Sequence, residues 1–419
     1  MAVLSTLGMG GVKLSRLCSA LMLWVLHGAS PTSVTNTGNR GAVASESKLC
    51  SHIGVRLVER GVEVVLCLES VVGGKAVAVP GDLRGLSIFT VHMDNYLGEL
   101  FATLLHHIAR YGFPVTEDLV YYMESAIVQV GWNFLLEDPN WAMDFAPNDT
   151  IADQGVSAFY EGEIANATIA AIEANSGIMT LDDLQKYTIE IRNPVNITYR
   201  NYTLHSTSAP SGGSIALSIL STIEGYDMYN ASNIPLNLHR LDEAMRFSYA
   251  AHSELGDPIV VLDVNKFEES MLSADSARAR RRIIMDNKTQ NITRYNPNLW
   301  DIQDNHGTSH IVATDSSGLS ISLTSTLNLL FGSAVMVPET GVILNNEMDD
   351  FSIPGVPNFF GFVPSPSNYI RPGARPLSSI SPIHISHPNG SHSFPSAQPA
   401  VPGSRHLQSK LSSTLSIME

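Results

Sequence analysis

At 419 residues and 45.4 kDa, with 44% apolar content, the chain is long enough for one large domain or roughly two to three ordinary ones around a real core. A formal charge of -15 and a pI near 5.3 exclude a surface built to track nucleic-acid phosphates, since that affinity depends on basic neutralisation. Three cysteines exclude a disulfide-stapled scaffold, so stability must come from burial.

Residues 1–30 carry Lys13 and Arg16, then an apolar run over 17–29 and Ser30-Pro31, which reads as a secretory signal or an uncleaved signal anchor. The run is short for a membrane span. Eight Asn-x-Ser/Thr sequons, at Asn148, Asn166, Asn196, Asn201, Asn230, Asn287, Asn291 and Asn389, agree with export, and the expected location is the secretory pathway, extracellular or anchored facing outside. Without the signal only Cys50 and Cys67 remain, and they are free to pair or not.

After a polar linker, residues 41–61 predict a strand and an amphipathic helix, and Pro80-Gly81 a turn. Apolar residues at three and four, such as Leu97, Leu100, Leu104 and Ile108, predict packed helices over 86–131. A further helix covers 158–174 and stops at Asn175-Ser176-Gly177; Thr180-Leu181-Asp182-Asp183 opens the next one with a capping residue. Residues 236–251 form another amphipathic helix, with Leu238, Leu241, Met245 and Tyr249 on one face. The basic cluster Arg278, Arg280, Arg281, Arg282 reads first as a solvated helix face and second as a convertase processing site.

Residues 319–329 alternate strictly, with Leu319, Ile321, Leu323, Leu327 and Leu329 on one side and Ser320, Ser322, Thr324, Thr326 and Asn328 on the other. Period two predicts a strand. Asp315-Ser316-Ser317-Gly318 predicts the bend that pairs it antiparallel with Ser309, Ile311 and Ala313, beside Thr308. Alternation by itself specifies half-burial and no chemistry. Ser309 and His310 are excluded as a catalytic pair, because adjacent strand residues face opposite ways. From Ser386 onward Pro, Ser, Gly and His displace apolar periodicity, predicting a disordered tail. His384 just before it, and His387 and His392 within it, stand without carboxylate or Cys company, and no metal is expected.

Several segments resemble the gamma-glutamyltranspeptidase family: VPGDLRG (79–85), GFPV (112–115), GVSAFYEGEIA (155–165), SGIMTLDDLQKY (176–187), SAPSGG (208–213), HRLDEAMRFSYAAHSELGDP (239–258), GTSH (307–310), NNEMDDFS (345–352) and PSPSNYIRPGARPLSSISP (364–382). Their order and spacing carry the resemblance. It implies a four-layer αββα N-terminal-nucleophile hydrolase sandwich and a proenzyme that cuts itself between Gly307 and Thr308. The implied division is a signal over 1–30, a large-subunit region over 31–307, a small-subunit region over 308–385 and the tail over 386–419. Thr308 would be the nucleophile, with its own α-amino group, of pKa about 7.7–8.0, as base. Thr326 would hydrogen-bond it. Asn328, Glu347 and Asp350 would bind the substrate, the two carboxylates taking the ammonium, and Ser378 and Ser379 would meet its carboxylate. The implied reaction moves the γ-glutamyl group of glutathione or a conjugate to water, an amino acid or a peptide acceptor, in a large/small heterodimer with no cofactor.

Two parts of the family pattern have no counterpart in the sequence: an Arg-bearing segment between 61 and 70, and a Gly-Gly oxyanion pair beyond the PLSS stretch. The expected sandwich is therefore incomplete. Loss of an oxyanion donor costs roughly 10² to 10³ in rate. Besides an enzyme, a secreted relative that binds γ-glutamyl compounds or a protein partner without turnover, and a non-functional splice or gene-model variant, remain open readings.

Overall fold

The computed structural model describes residues 70–85, 87, 155–301, 308–314, 320–355, 362–387 and 396–398. The signal, Cys50, Cys67, the helices expected over 86–131, GFPV, Gly307, His392, Asn148 and Asn389 lie outside the described residues. All described residues fall in the compact unit 69–419.

Helix α1 (Ser157–Tyr160) and helix α2 (Glu163–Ala174) divide one stretch that the sequence reads as a single helix. The break falls at Gly162, whose φ of 81° lies outside the helical region. Helix α2 ends as expected after Ala174. Ser176, not Gly177, adopts the left-handed conformation, and Gly177 N and Ser176 N donate to Ile172 O and Glu173 O in a Schellman arrangement. Gly177 is required for another reason: a Cβ there would lie 2.2 Å from Ile172 Cγ2 and 2.7 Å from Gly74 O. Helix α3 (Leu181–Lys186) opens on the expected capping box, with Thr180 Oγ1 accepting from Asp183 N and the Asp183 carboxylate accepting from Thr180 N.

Strands β1 (Val195–Tyr199) and β2 (Tyr202–Ser206) form a hairpin through Arg200-Asn201, both at positive φ, 49° and 72°. Helix α4 (Gly213–Ile223) follows and is almost wholly buried. Its apolar residues pack on Ile197, Tyr199 and Leu204 from the hairpin, and on Leu241 and Met245 of helix α5 (Ile234–His252). On α5 the expected face is realised at Leu241 and Met245, whereas Leu238 is 41% exposed. Helix α6 (Val264–Leu272) and helix α7 (Ala274–Ile283) complete the helical layer. The basic cluster divides. Arg278 and Arg282 are solvated, but Arg281 Nη1 donates to Ser221 O and Thr222 O at the C-terminal end of α4, and Arg280 Nε donates to Thr222 Oγ1. Guanidinium groups there complete orphan carbonyls and oppose the helix dipole. A convertase needs an extended, free segment, so the processing-site reading is set aside.

Strands β3 (Ser309–Thr314) and β4 (Ser320–Ser325) pair antiparallel from Ser309↔Ser325 to Thr314↔Ser320, the hairpin the alternation predicts. Strand β5 (Ser381–Ser386) pairs with β2, and β6 (Ser396–Gln398) with β5, giving a four-stranded sheet in the order β1-β2-β5-β6. Leu204, Ile383 and Ile385 point from this sheet into the core with α4. The β3-β4 hairpin lies against β5 and β6, and α4 packs on β1, β2 and β5. Strand β6 lies within the stretch 386–419 that composition reads as a tail. Ser396, Ala397 and Gln398 carry no proline, so their backbone can pair with β5.

Candidate active site

The site is assembled where β4 ends. The sequence alternation continues to Leu329, but the strand stops at Ser325. Asn328 takes φ 70° and its N–H folds back onto Thr326 Oγ1 at 2.8 Å. Thr326 and Asn328 therefore belong to a turn, not to one strand face as expected. Thr308 directly precedes β3 and Thr326 directly follows β4, so the two threonines flank the last pair of the hairpin, Ser309↔Ser325. Thr308 is half-buried.

Asn346 ties the turn to the acidic segment. Its N–H donates to Leu327 O at 3.2 Å, its Oδ1 accepts from Leu329 N at 3.0 Å and its C=O accepts from Asn328 Nδ2 at 3.3 Å. Glu347 and Asp350 bound one short 3-10 turn, and Asp350 takes a hydrogen bond from Asn328. Both carboxyls are held well above the ordinary carboxylate range. At Glu347 burial is the larger cause and the charge of Asp82 the second; at Asp350 burial is followed by the charges of Glu347 and Asp349. Asp82 is fixed beside β4 by Ser325 Oγ at 2.6 Å. Asn345 pins the same segment to the chain just before VPGDLRG, exchanging two hydrogen bonds with Ala78 at 3.1 and 2.9 Å.

The segment that carries Ser378 and Ser379 joins the site through Asn368, which bonds the adjoining Leu377. Asn368 Nδ2 donates to Asp350 O at 2.7 Å and its Oδ1 accepts from Leu377 N at 3.0 Å, so one buried amide spans the two segments. Ser378 N donates to Pro210 O of the SAPSGG loop at 2.9 Å. Behind it, His252 is fully enclosed and hydrogen-bonds the Ser378 backbone. Burial lowers its pKa to about 4, so it stays neutral. His310 is tied across the hairpin to Thr324 Oγ1 at 2.7 Å, in keeping with its exclusion as partner of Ser309. Among the described residues no His, Cys, Asp or Glu group of three or more could hold a metal ion.

Thr326, Asn328 and the Glu347–Asp350 turn are thus joined in one network, which reaches the segment carrying Ser378 and Ser379 through Asn368, while Thr308 directly precedes β3. The family description "Gamma-glutamyltranspeptidase" matches residues 63–397. The chain belongs to the gamma-glutamyltranspeptidase family. A glutathione hydrolase proenzyme of Arthroderma benhamiae is 43% identical over 371 residues, covering 83% of this chain and 62% of that protein. A glutathione hydrolase of Aspergillus flavus is 36% identical over 425 residues, covering 84% and 71%. The chain thus spans under two thirds of the first relative's length and somewhat more of the second's. In fold it is similar to a cephalosporin acylase from Bacillus halodurans, with TM-score 0.53 and 19% identity over 88% of this chain and 80% of that one. The fold is that of the N-terminal-nucleophile hydrolases, as expected of the gamma-glutamyltranspeptidase family.

Sequence reasoning missed Asn345, Asn346 and Asn368, although all three stand in quoted family segments. Each bonds mainly to backbone groups remote in sequence, and residue type carries no signal for that. The readable hint was the pair Asn345-Asn346 itself, two polar residues directly after the apolar run Val342-Ile343-Leu344.

Proposed function

We propose that this chain is a gamma-glutamyl transferase and glutathione hydrolase that matures by cutting itself before Thr308. The observation that carries the reading is that Thr308 and Thr326 flank the last pair of the β3-β4 hairpin, Ser309↔Ser325, at the end where Thr326 enters a network that reaches Glu347 and Asp350. In maturation, Thr308 Oγ attacks the Gly307 carbonyl carbon, the peptide bond shifts to an ester, and water releases Gly307 as a carboxylate and Thr308 as a free amine. In turnover, Thr308 Oγ attacks the γ-carbonyl of glutathione. Its proton passes through the α-amino group to the departing amine of cysteinylglycine. Water or an acceptor amine then takes the γ-glutamyl group from the ester.

The electrostatics support a cationic ligand group. Two carboxyls that repel each other and resist ionisation are an expensive arrangement in a resting protein. An α-ammonium placed between them would favour their charged forms and be held by charge-assisted hydrogen bonds. Ser378 and Ser379, on the segment bridged to the same site by Asn368, offer hydroxyls to the substrate carboxylate. The exposed sequons Asn166, Asn196, Asn201, Asn230, Asn287 and Asn291 support passage through the secretory pathway. Among the described residues no helix is long and apolar enough to cross a membrane.

The test is glutathione turnover by the chain secreted from a eukaryotic host. Release of cysteinylglycine and glutamate, abolished by Thr308→Ala, is the expected result. Saturable binding of glutathione by folded protein with no release would favour the non-catalytic binding relative instead.

A further inference from the structure

Among the described residues of the site, two buried side-chain atoms have no hydrogen-bond partner, Nε2 of His252 behind Ser378 and Nδ2 of Asn346; the second, on a residue with 0% exposure, is on the turn that follows β4. A buried donor left unmade costs about 1–3 kcal/mol. The amide cannot be turned to relieve it, because Oδ1 faces the N–H of Leu329 and a reversed amide would set two donors against each other. The side chain therefore gives up its own donor to keep the Leu329 bond. The backbone of Asn346 is committed to the same place, with its N–H on Leu327 O and its C=O on Asn328 Nδ2. One residue thus holds three consecutive turn residues. At their centre Asn328 lies at φ 70°. Such a conformation costs on the order of 1–3 kcal/mol and persists only where its surroundings over-determine it.

Resting on the transferase reading, we propose that Asn346 is a positioning residue for the reaction: it locks Asn328 in the left-handed turn, and so sets the Thr326 hydroxyl against Thr308 and the Asn328 amide against Asp350. It touches neither the reacting atoms nor the ligand. Its effect on the ligand runs through Asn328, whose hydrogen bond favours the ionised form of Asp350. The groups facing that carboxyl are Glu347, Asp349 and Asn328, with Asp82 acting on Glu347. Releasing the turn would remove the donor and leave the like charges in place, so the pair would ionise at higher pH.

The test compares the whole chain with Asn346→Ala and with Asn237→Ala as a control. Asn237 is a buried asparagine on α5 whose Nδ2 donates to Asp227 O, away from the site. Hydrogen exchange of residues 327–329 is measured first, in ligand-free protein. Binding of L-glutamate is then followed from pH 6 to 9. Asn346→Ala is expected to lose protection at 327–329 selectively, to bind L-glutamate about tenfold more weakly at pH 7 (about 1.4 kcal/mol) and to reach half-maximal binding at higher pH. The control is expected to lose stability without moving the pH midpoint. Unchanged exchange at 327–329 in Asn346→Ala overturns the inference, as does a pH midpoint that stays put. Should the unsubstituted chain bind no L-glutamate, the transferase reading fails, while the exchange comparison still decides whether Asn346 holds the turn.

Discussion

Two buried acidic centres in this protein are built in opposite ways. Asp257, at the end of the LGDP segment, has no exposed side-chain surface and is met by cations and donors: Arg192 Nη2 at 2.7 Å, Arg375 N at 2.8 Å and Ile259 N at 3.1 Å, with Arg375 Nη1 3.9 Å away. It fastens the segment before β1 and the PGARPLSS segment to the end of the α5 region. At Glu347 and Asp350 the neighbouring charges named above are negative, and both carboxyls are pushed toward their neutral forms. The first centre is complete without any ligand. The second lowers its energy when a cation arrives, which is what separates a carboxylate used for architecture from one used for binding.

The largest expected effect lies at the complete centre. Asp257→Ala leaves two guanidinium groups facing an emptied buried position and should destabilise the fold by about 3–5 kcal/mol, read from denaturant unfolding. An unfolding free energy within experimental error of the parent would remove the distinction between the centres. The second effect tests the binding role. Asp350→Asn should lose about 2–5 kcal/mol of L-glutamate binding in calorimetry while the protein remains folded, because one partner of a buried charged contact is gone.

A smaller effect comes from pH. The folded pKa values of Glu347 and Asp350 are raised, to about 7 and about 8, so their protonated forms favour the native state. Their contribution is complete below the ordinary carboxylate range and is lost as pH rises through about 7 to 8. Thermal melts from pH 5 to 9 should show declining stability across that window. Asp350→Asn should flatten the decline and be the more stable protein at pH 8.5, by about 1 kcal/mol or more. A parent chain whose melting is level across the window contradicts the raised values. The smallest effect concerns the basic cluster: Arg281→Ala, which removes two hydrogen bonds to the α4 carbonyls, should cost about 1 kcal/mol.

The sequence made local structure legible wherever a signal repeats within a few residues. The β3-β4 hairpin followed from alternation and a Ser-Gly bend, and the capping box at Thr180 from residue types three apart. The end of β4 was not legible, because Leu327 and Leu329 continue the apolar alternation while the backbone has already turned at Asn328. What stops the strand is Asn346, seventeen or more residues away in sequence, through bonds to backbone groups. The same holds for Asn368, which joins Asp350 to Leu377. The β1-β2 hairpin escaped notice because its turn is Arg200-Asn201, and Arg is a poor signal for a left-handed position. Strand β6 was hidden by the prolines around it.

The most direct measurement is the chain pattern of secreted, deglycosylated protein under denaturing conditions, by intact mass and amino-terminal sequencing. The account predicts two chains, one beginning at Thr308, and a single uncut chain for Thr308→Ala. Soluble, folded protein that remains one chain with no Thr308 amino terminus would contradict it.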